Sequence, residues 1–285
     1  MTNRGSRGAV VVTGSSTGIG RACVLHLDRL GFEVFAGVRR AEDGEQLRAA
    51  ASGRLQPLIL DVTDPKQIAG AADHVGGESP EGLAGLVNNA GVAVAGPVEL
   101  TPIDDFRRQI EINLIGQVAV TQAFLPMLRR ARGRVVFLSS IGGLLANPYM
   151  APYHVSKFGI EALGDSLRQE LRPFGVEVSI VEPGSVATPI WEKGRGTVDD
   201  LRGRLTEEEA TLYGDTVERM ADVVTEVGAQ GVPPEKVASV IGDALTARRP
   251  RTRYLVGADA RAMAVFRRLV PDRLRDRLVA RRIGL

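Results

Sequence analysis

Six short apolar runs, each followed by a stretch of helical periodicity, constrain this chain more than any other feature. The runs are Ala9–Thr13, Glu33–Val38, Leu55–Leu60, Gly85–Asn88, Arg134–Ser139 and Val176–Val181, with Tyr254–Val256 as a late seventh. Helical patterns lie between them at Ile19–Leu30, Asp43–Ala51, Pro65–Val75, Pro102–Ala131 and Tyr153–Pro173. Runs this rich in Val, Ile and Leu are expected to be buried on both faces, as in a parallel sheet covered by helices. The repeated strand–helix alternation predicts an α/β fold, a doubly wound seven-stranded parallel sheet in a single domain over residues 1–257.

Two regions break the rhythm. Residues 188–231 hold no strand; a Gly-rich start (Gly194, Gly196) leads into a long acidic helix. Thr206 and Glu209 have capping-box spacing, and Leu205, Leu212, Tyr213, Val217, Met220 and Val224 form an apolar stripe at three- and four-residue intervals. An insertion after a strand's carboxyl end lies where such sheets bind ligands. It reads as a lid over substrate or as a helix packed on the body. The second break is the tail, residues 258–285. From Arg248 to Leu285 twelve arginines face three aspartates, a local net of +9, which leaves −7 on the rest of a chain of formal net charge +2.

Composition excludes several classes. With 44% apolar residues and so small a net charge, a disordered chain is excluded. No stretch approaches 18 consecutive apolar residues, so no membrane-spanning helix is expected. The opening MTNRGSRG leaves no room for the apolar core of a secretory signal, and a cytoplasmic location is expected. The single cysteine, Cys23, excludes an internal disulfide and is expected in the core. His26, His74 and His154 are too scattered for zinc, and no metal site is expected.

The chemistry-bearing residues follow the strands. The first strand runs into Gly14-Ser15-Ser16-Thr17-Gly18-Ile19-Gly20 immediately before a helix. Glycines there let the backbone approach a pyrophosphate, whose charge meets the helix N-terminal amides. Tyr153 and Lys157 stand four apart on a helix, so hydroxyl and ammonium share a face. A neighbouring cation favours phenolate, and the expectation is a lowered Tyr153 pKa. Ser140 ends the fifth strand, at the same sheet edge as the Gly-rich turn. Asn88 and Asn89 close the fourth strand and are expected to support the sheet; Asn113 is ambiguous on spacing alone.

Together these residues resemble the short-chain dehydrogenase/reductase family from about residue 8 to residue 190. The resemblance rests on Thr13–Gly20, Asp61, Asn88–Gly91, Asn113, Ser140, Tyr153 with Lys157, and Pro183, Gly184, Val186 and Thr188. It implies a Rossmann-type dinucleotide fold and hydride transfer between a nicotinamide and a carbonyl or alcohol carbon. Tyr153 would exchange the proton at the substrate oxygen, Lys157 would bind the nicotinamide ribose, Ser140 would orient the carbonyl, and Asn113 would hold a water. Thr188 would meet the carboxamide, Asp61 and Val62 the adenine, and Asn89, Ala90 and Gly91 would complete the cofactor site. Residues Arg253–Gly257, Asp259-Ala260 and Pro271–Leu274 look similar to the retinol and 17β-hydroxysteroid dehydrogenase branch, which acts on lipophilic alcohols and carbonyls.

At the end of the second strand Val38 stands where an acidic residue would accept from a ribose 2′-hydroxyl, and Arg39 and Arg40 follow. Guanidinium groups suit a 2′-phosphate, so NADP(H) is expected over NAD(H), with Asp43 as a competing charge. The expected substrate wall is Val92, Leu144, Leu145, Pro148, Tyr149, Met150, Ile190, Trp191 and the lid stripe including Tyr213. Its apolar character predicts a small lipophilic ketone or secondary alcohol. A non-catalytic nicotinamide sensor has no need of Ser140, Tyr153 and Lys157 together; an epimerase or dehydratase differs in net redox turnover.

In the tail, Val265, Phe266, Leu269, Val270, Leu274, Leu278 and Ile283 form an apolar side beside many arginines. Three readings stand: packing near the active site or against a second subunit, peripheral contact with an anionic membrane, or a solvated face. No nucleic-acid reading module accompanies the arginines. The long helices Pro102–Ala131 and Tyr153–Pro173 resemble those that pair across a dimer axis in the family, and a homodimer or homotetramer is expected.

Overall fold

The computed structural model describes residues 7–229 and 231–283, with seven strands in one parallel sheet. The strands are β1 (Ala9–Val12), β2 (Glu33–Val38), β3 (Leu55–Ile59), β4 (Leu83–Asn88), β5 (Arg134–Leu138), β6 (Glu177–Pro183) and β7 (Arg253–Val256). Their order is β3-β2-β1-β4-β5-β6-β7, so the winding reverses between β1 and β4 and opens a crevice at those strands' carboxyl ends. The strand runs are mostly apolar because successive residues serve opposite faces, both of them covered. Val10 and Val12 join one core with Cys23, Leu27, Val237 and Ile241; Ala9 and Val11 join the other with Val75, Phe124, Leu128 and Ile160. Removing a fully buried side chain such as Leu27 or Phe124 costs several kcal/mol.

The helices on these faces are α1 (Gly18–Arg29), α2 (Ala41–Ala50), α3 (Pro65–Glu78), α4 (Ile103–Ile110), α5 (Gly116–Ala131), α6 (Ala151–Leu171) and α9 (Pro234–Thr246). The stretch expected as one helix from Pro102 to Ala131 is not regular. A five-residue π turn, Glu111–Ile115, separates α4 from α5. Gly116 then passes close to the end of β3, where a Cβ would lie 2.6 Å from the Val62 carbonyl oxygen. Helix α9, absent from the sequence expectation, begins at Pro234 and buries Val237, Ile241 and Leu245.

The insertion folds as α7 (Ile190–Arg202) and α8 (Glu207–Ala229). The Gly-rich start of the insertion is helical, contrary to expectation. The Thr206 amide donates to Glu209 Oε2 (2.8 Å), and the Glu209 amide donates to Thr206 Oγ1 (3.2 Å), so the capping box is closed. Val198, Leu201, Val217 and Met220 form a third core with Ala95, and Leu100, Leu205, Tyr149, Met150 and Tyr213 pack against it. Leu212 departs from the expected stripe and is 65% exposed.

The tail is two helices, α10 (Ala258–Leu269) and α11 (Asp272–Ile283). Asp259 fastens α10 by accepting from the Ser185 amide (2.7 Å), and Ala260 is buried beneath it. Val265, Leu269, Leu274 and Leu278 are exposed, Leu269 by 72%, so the apolar row faces away from the body. The side chains of Val224 and Ile283, and the polar start over residues 1–6, lie outside the described residues. Among the described residues no helix is long and apolar enough to cross a membrane.

Candidate active site

The Gly-rich turn is held by its neighbours' backbone. Thr13 Oγ1 accepts from the amides of Asn89 and Ala90 (both 3.0 Å), while Asn89 Nδ2 donates to the carbonyls of Thr13 (2.8 Å) and Gly14 (3.0 Å). Gly14 and Gly18 take positive φ, +66° and +54°, which side-chain-bearing residues adopt at a cost. A Cβ on Gly20 would collide with the Gly14 carbonyl oxygen and lie 2.6 Å from Asn89 Nδ2. Thr17 caps α1 without a side-chain bond to its amides, leaving the helix's positive end available to an anion. A Cβ on Gly18 would come within 3.1 Å of Thr188 Cγ2, so the segment leading to α7 closes over the turn. This tight cradle of small residues fits a dinucleotide pyrophosphate.

Arg39 and Arg40 follow β2 at the same edge, where the Ser15 amide donates to the Gly37 carbonyl (2.8 Å). The competing charge named in the sequence is engaged. Arg40 is bidentate to Asp43, with bonds of 3.1 and 3.0 Å, because the two stand three apart at the start of α2. Arg39 is exposed and has no polar partner among the described residues. At the end of β3, Asp61 Oδ1 accepts from the Thr63 amide (2.9 Å) and hydroxyl (2.7 Å), and Val62 packs on Gly116. Ile19 is half-buried at the start of α1 and Ser16 sits in the turn before it.

Ser140, Tyr153 and Lys157 meet at the carboxyl end of β5. Ser140 Oγ accepts from the Gly142 amide (3.0 Å) and lies 3.5 Å from the Pro183 carbonyl. Lys157 is buried, donates to the Leu138 carbonyl (2.7 Å), and has Nζ 5.7 Å from the Tyr153 ring centroid. Burial pushes the Lys157 ammonium down to about 8, opposed by the Glu161 carboxylate one turn on. Burial also raises the Tyr153 hydroxyl above its ordinary range, with a Ser140 hydrogen bond pulling the other way. Desolvation is the larger of the two effects, so the Tyr153 hydroxyl stands above its ordinary range where a lowered value was expected.

Asn113 lies in the π turn. Its Oδ1 accepts from the Val92 amide (2.9 Å) and Nδ2 donates to the Val92 carbonyl (3.0 Å) and Ser156 Oγ (3.2 Å). The side-chain amide thus braces the loop after β4. Gly91 needs its small size here, as a Cβ would approach Asn113 Oδ1 at 3.3 Å. Gly184 is required by the tail, since a Cβ there would strike the Asp259 carboxylate. Val186 is buried and its carbonyl accepts from Trp191 Nε1 (2.7 Å).

The substrate-wall residues occupy the loop before α6 and the lid. Leu145 is buried, Leu144, Tyr149 and Trp191 are half-buried, and Tyr213 donates its hydroxyl to Glu99. That bond and the third core join α8 to the loop after β4, so the lid is seated on the body.

A profile of the family described as short chain dehydrogenase matches residues 8–198. The chain belongs to the short-chain dehydrogenase family. It is 42% identical over 275 residues to retinol dehydrogenase 5 of Mus musculus, covering 94% of this chain and 86% of that one. It is 34% identical over 274 residues to the NADPH-dependent 3-dehydrocapnine reductase of Ornithobacterium rhinotracheale, covering 94% of each. A short-chain dehydrogenase structure from Streptomyces avermitilis superposes with a TM-score of 0.77 at 28% identity, covering 98% of this chain and 97% of that one.

Sequence reasoning missed several polar groups that brace this short-chain dehydrogenase's site. Gln109, one turn before Asn113, is fully buried and grips the Val92 carbonyl and Val94 amide (2.8 and 2.7 Å). Arg253 joins Glu161 (3.0 Å), Asp165 (2.8 Å) and Glu182 (3.2 Å) behind Lys157, tying β7, α6 and β6 together. Burial and the nearby Glu161 raise the Glu182 carboxyl. Gln109, Asn113, Gln117 and Thr121, polar residues four apart on one helix face, are a readable signal; the Arg253 cluster joins residues too far apart in sequence to read.

Proposed function

We propose that this short-chain dehydrogenase transfers hydride between NADP(H) and a lipophilic ketone or secondary alcohol, of steroid-, retinoid- or xenobiotic-like bulk. The observation that carries the catalytic part is the convergence of Ser140, Tyr153 and Lys157 at the strand edge that also forms the glycine cradle. The bound nicotinamide would supply or accept the hydride. Ser140 donates a hydrogen bond to the substrate oxygen and aligns it. Tyr153 delivers its hydroxyl proton to that oxygen in reduction and withdraws it in oxidation, stabilising the developing charge. Lys157, fixed by Leu138, would hold the nicotinamide ribose. Thr188 would meet the carboxamide, and Asp61 and Val62 would border the adenine.

NADP(H) is supported by Val38 in place of an acid, by the unpartnered Arg39, and by the NADPH dependence printed in the name of the 3-dehydrocapnine reductase relative. The lipophilic substrate is supported by the Leu144, Leu145, Tyr149, Trp191 and Tyr213 wall and by the retinol dehydrogenase relative. The test is NADPH or NADH consumption at 340 nm against steroids, retinal, medium-chain ketones and small polar ketones. NADPH oxidation by a bulky apolar carbonyl is the expected result; binding without turnover on any of them, in either direction, favours a sensor. Replacing Arg39 by Gln should weaken NADPH by about ten- to a hundredfold and leave NADH unchanged, as loss of one charge-assisted phosphate contact costs about 1.5–3 kcal/mol. Equal losses for both cofactors would remove Arg39 from the phosphate site.

A second copy of the chain is the partner proposed for the outer face of α6. Val155 and Phe158 are exposed there, with Ile115 exposed on the neighbouring π turn, and these helices resemble those that pair across a dimer axis in the family. Light scattering should return a dimer or tetramer mass that Phe158→Glu lowers; an unchanged mass would refute this face.

A further inference from the structure

One buried titratable side chain at the site has no part in the chemistry above. His154 follows Tyr153 on the first turn of α6 and is 6% exposed. Its Nε2 accepts from the Asn147 amide (3.0 Å), and its Nδ1 faces the Gly142 carbonyl at 2.8 Å. The partners fix the tautomer. An amide can only donate and a carbonyl can only accept, so Nδ1 carries the proton and Nε2 is bare. Burial lowers the imidazole below its ordinary range and keeps that form at neutral pH.

Those two bonds span the segment that follows β5. It begins at Ser140, whose hydroxyl accepts from the same Gly142, and continues through Leu144, Leu145 and Tyr149. A Cβ on Gly142 would lie 3.0 Å from both His154 Nδ1 and Tyr153 Cε1, so this glycine is wedged between the two rings. The rings meet edge to face with centroids 6.0 Å apart. Ring, glycine and tyrosine therefore interlock, and a shift of the imidazole moves both the substrate wall and Ser140 relative to Tyr153.

We propose that His154 is a positioning residue, a neutral two-point clasp that sets the Ser140–Tyr149 segment against Tyr153 and so determines which carbonyl compounds fit. Its catalytic consequence rests on the carbonyl reduction proposed above; the clasp itself does not. Two variants separate size from hydrogen bonding. His154→Leu removes donor and acceptor, whereas His154→Gln retains one of each in a side chain of comparable reach. Hydrogen–deuterium exchange over residues 141–148 needs no substrate. Exchange should accelerate in His154→Leu and stay near wild type in His154→Gln.

With a bulky ketone, His154→Leu should lose about tenfold in kcat/KM, more through KM than kcat, because small misplacements in a preorganised site are costly. NADPH affinity should be unchanged. Gly142→Ala, which presses a methyl between the rings, should act like His154→Leu and serves if that variant folds poorly. Wild-type exchange in His154→Leu, or equal losses in the Gln and Leu variants, would overturn the clasp. Altered exchange rescued by Gln, with no carbonyl turned over by any form, would uphold the clasp and overturn the reductase reading instead.

Discussion

Tyr153→Phe is expected to lower kcat by about 10²–10⁴-fold, the range typical of a lost general acid–base group, with NADPH affinity within about twofold of wild type. The phenyl ring keeps the edge contact with His154 and the place beside Lys157, so only the proton-carrying hydroxyl is removed. The Kd is read by cofactor fluorescence and the turnover at 340 nm. Retained turnover would show that another group carries the proton. A matching loss of cofactor affinity would place Tyr153 in cofactor binding rather than proton transfer. The buried Lys157 gives this chemistry a pH sense. Its ammonium, brought down to about 8, loses charge as pH rises through that value, and with it the charge proposed to hold the nicotinamide ribose.

Gly20→Ala should have the next largest effect, and it should fall on cofactor binding and stability together. The methyl would run into the Gly14 carbonyl oxygen and crowd Asn89 Nδ2, both parts of the rigid brace between β1 and β4. The first is backbone and the second is a side-chain end held by the Thr13 and Gly14 carbonyls, so the turn itself must open. Overpacking of this kind costs about 1–3 kcal/mol, equivalent to a Tm lower by roughly 2–8 °C in a domain of this size. An opened turn also withdraws amides from the pyrophosphate, and NADPH affinity should fall by about tenfold or more. Calorimetry and fluorescence titration read the two effects. Unchanged affinity in a destabilised protein would separate the turn from the cofactor site.

The strands were legible in the sequence because a parallel sheet with both faces covered asks each strand residue to be apolar, and Val10–Val12 and Val135–Leu138 comply. The glycine turn and the Tyr153–Lys157 pair were legible because their chemistry depends on local spacing. Other features depend on long-range neighbours. The π turn over Glu111–Ile115 is followed by the close passage of Gly116 against Val62, and no local pattern announces either. Helix α7 forms despite Gly194 and Gly196 because Val198 and Leu201 find a shared core with Val217 and Met220, so packing overrides propensity. Arg40 pairs with Asp43, three residues on, a competition the spacing itself announces. The desolvation that raises Tyr153 was hidden, since burial is a property of the assembled fold.

The most direct measurement of the central claim follows the hydride itself. Protein is incubated with NADPH deuterated at the transferable C4 position and a bulky apolar ketone, and the alcohol product is examined by mass spectrometry beside a Tyr153→Phe control. One deuterium on the carbinol carbon of the wild-type product, and a product reduced to near background in the control, is the predicted result. Cofactor bound at the glycine cradle with no deuterium reaching any carbonyl carbon, or equal transfer in the control, would contradict it.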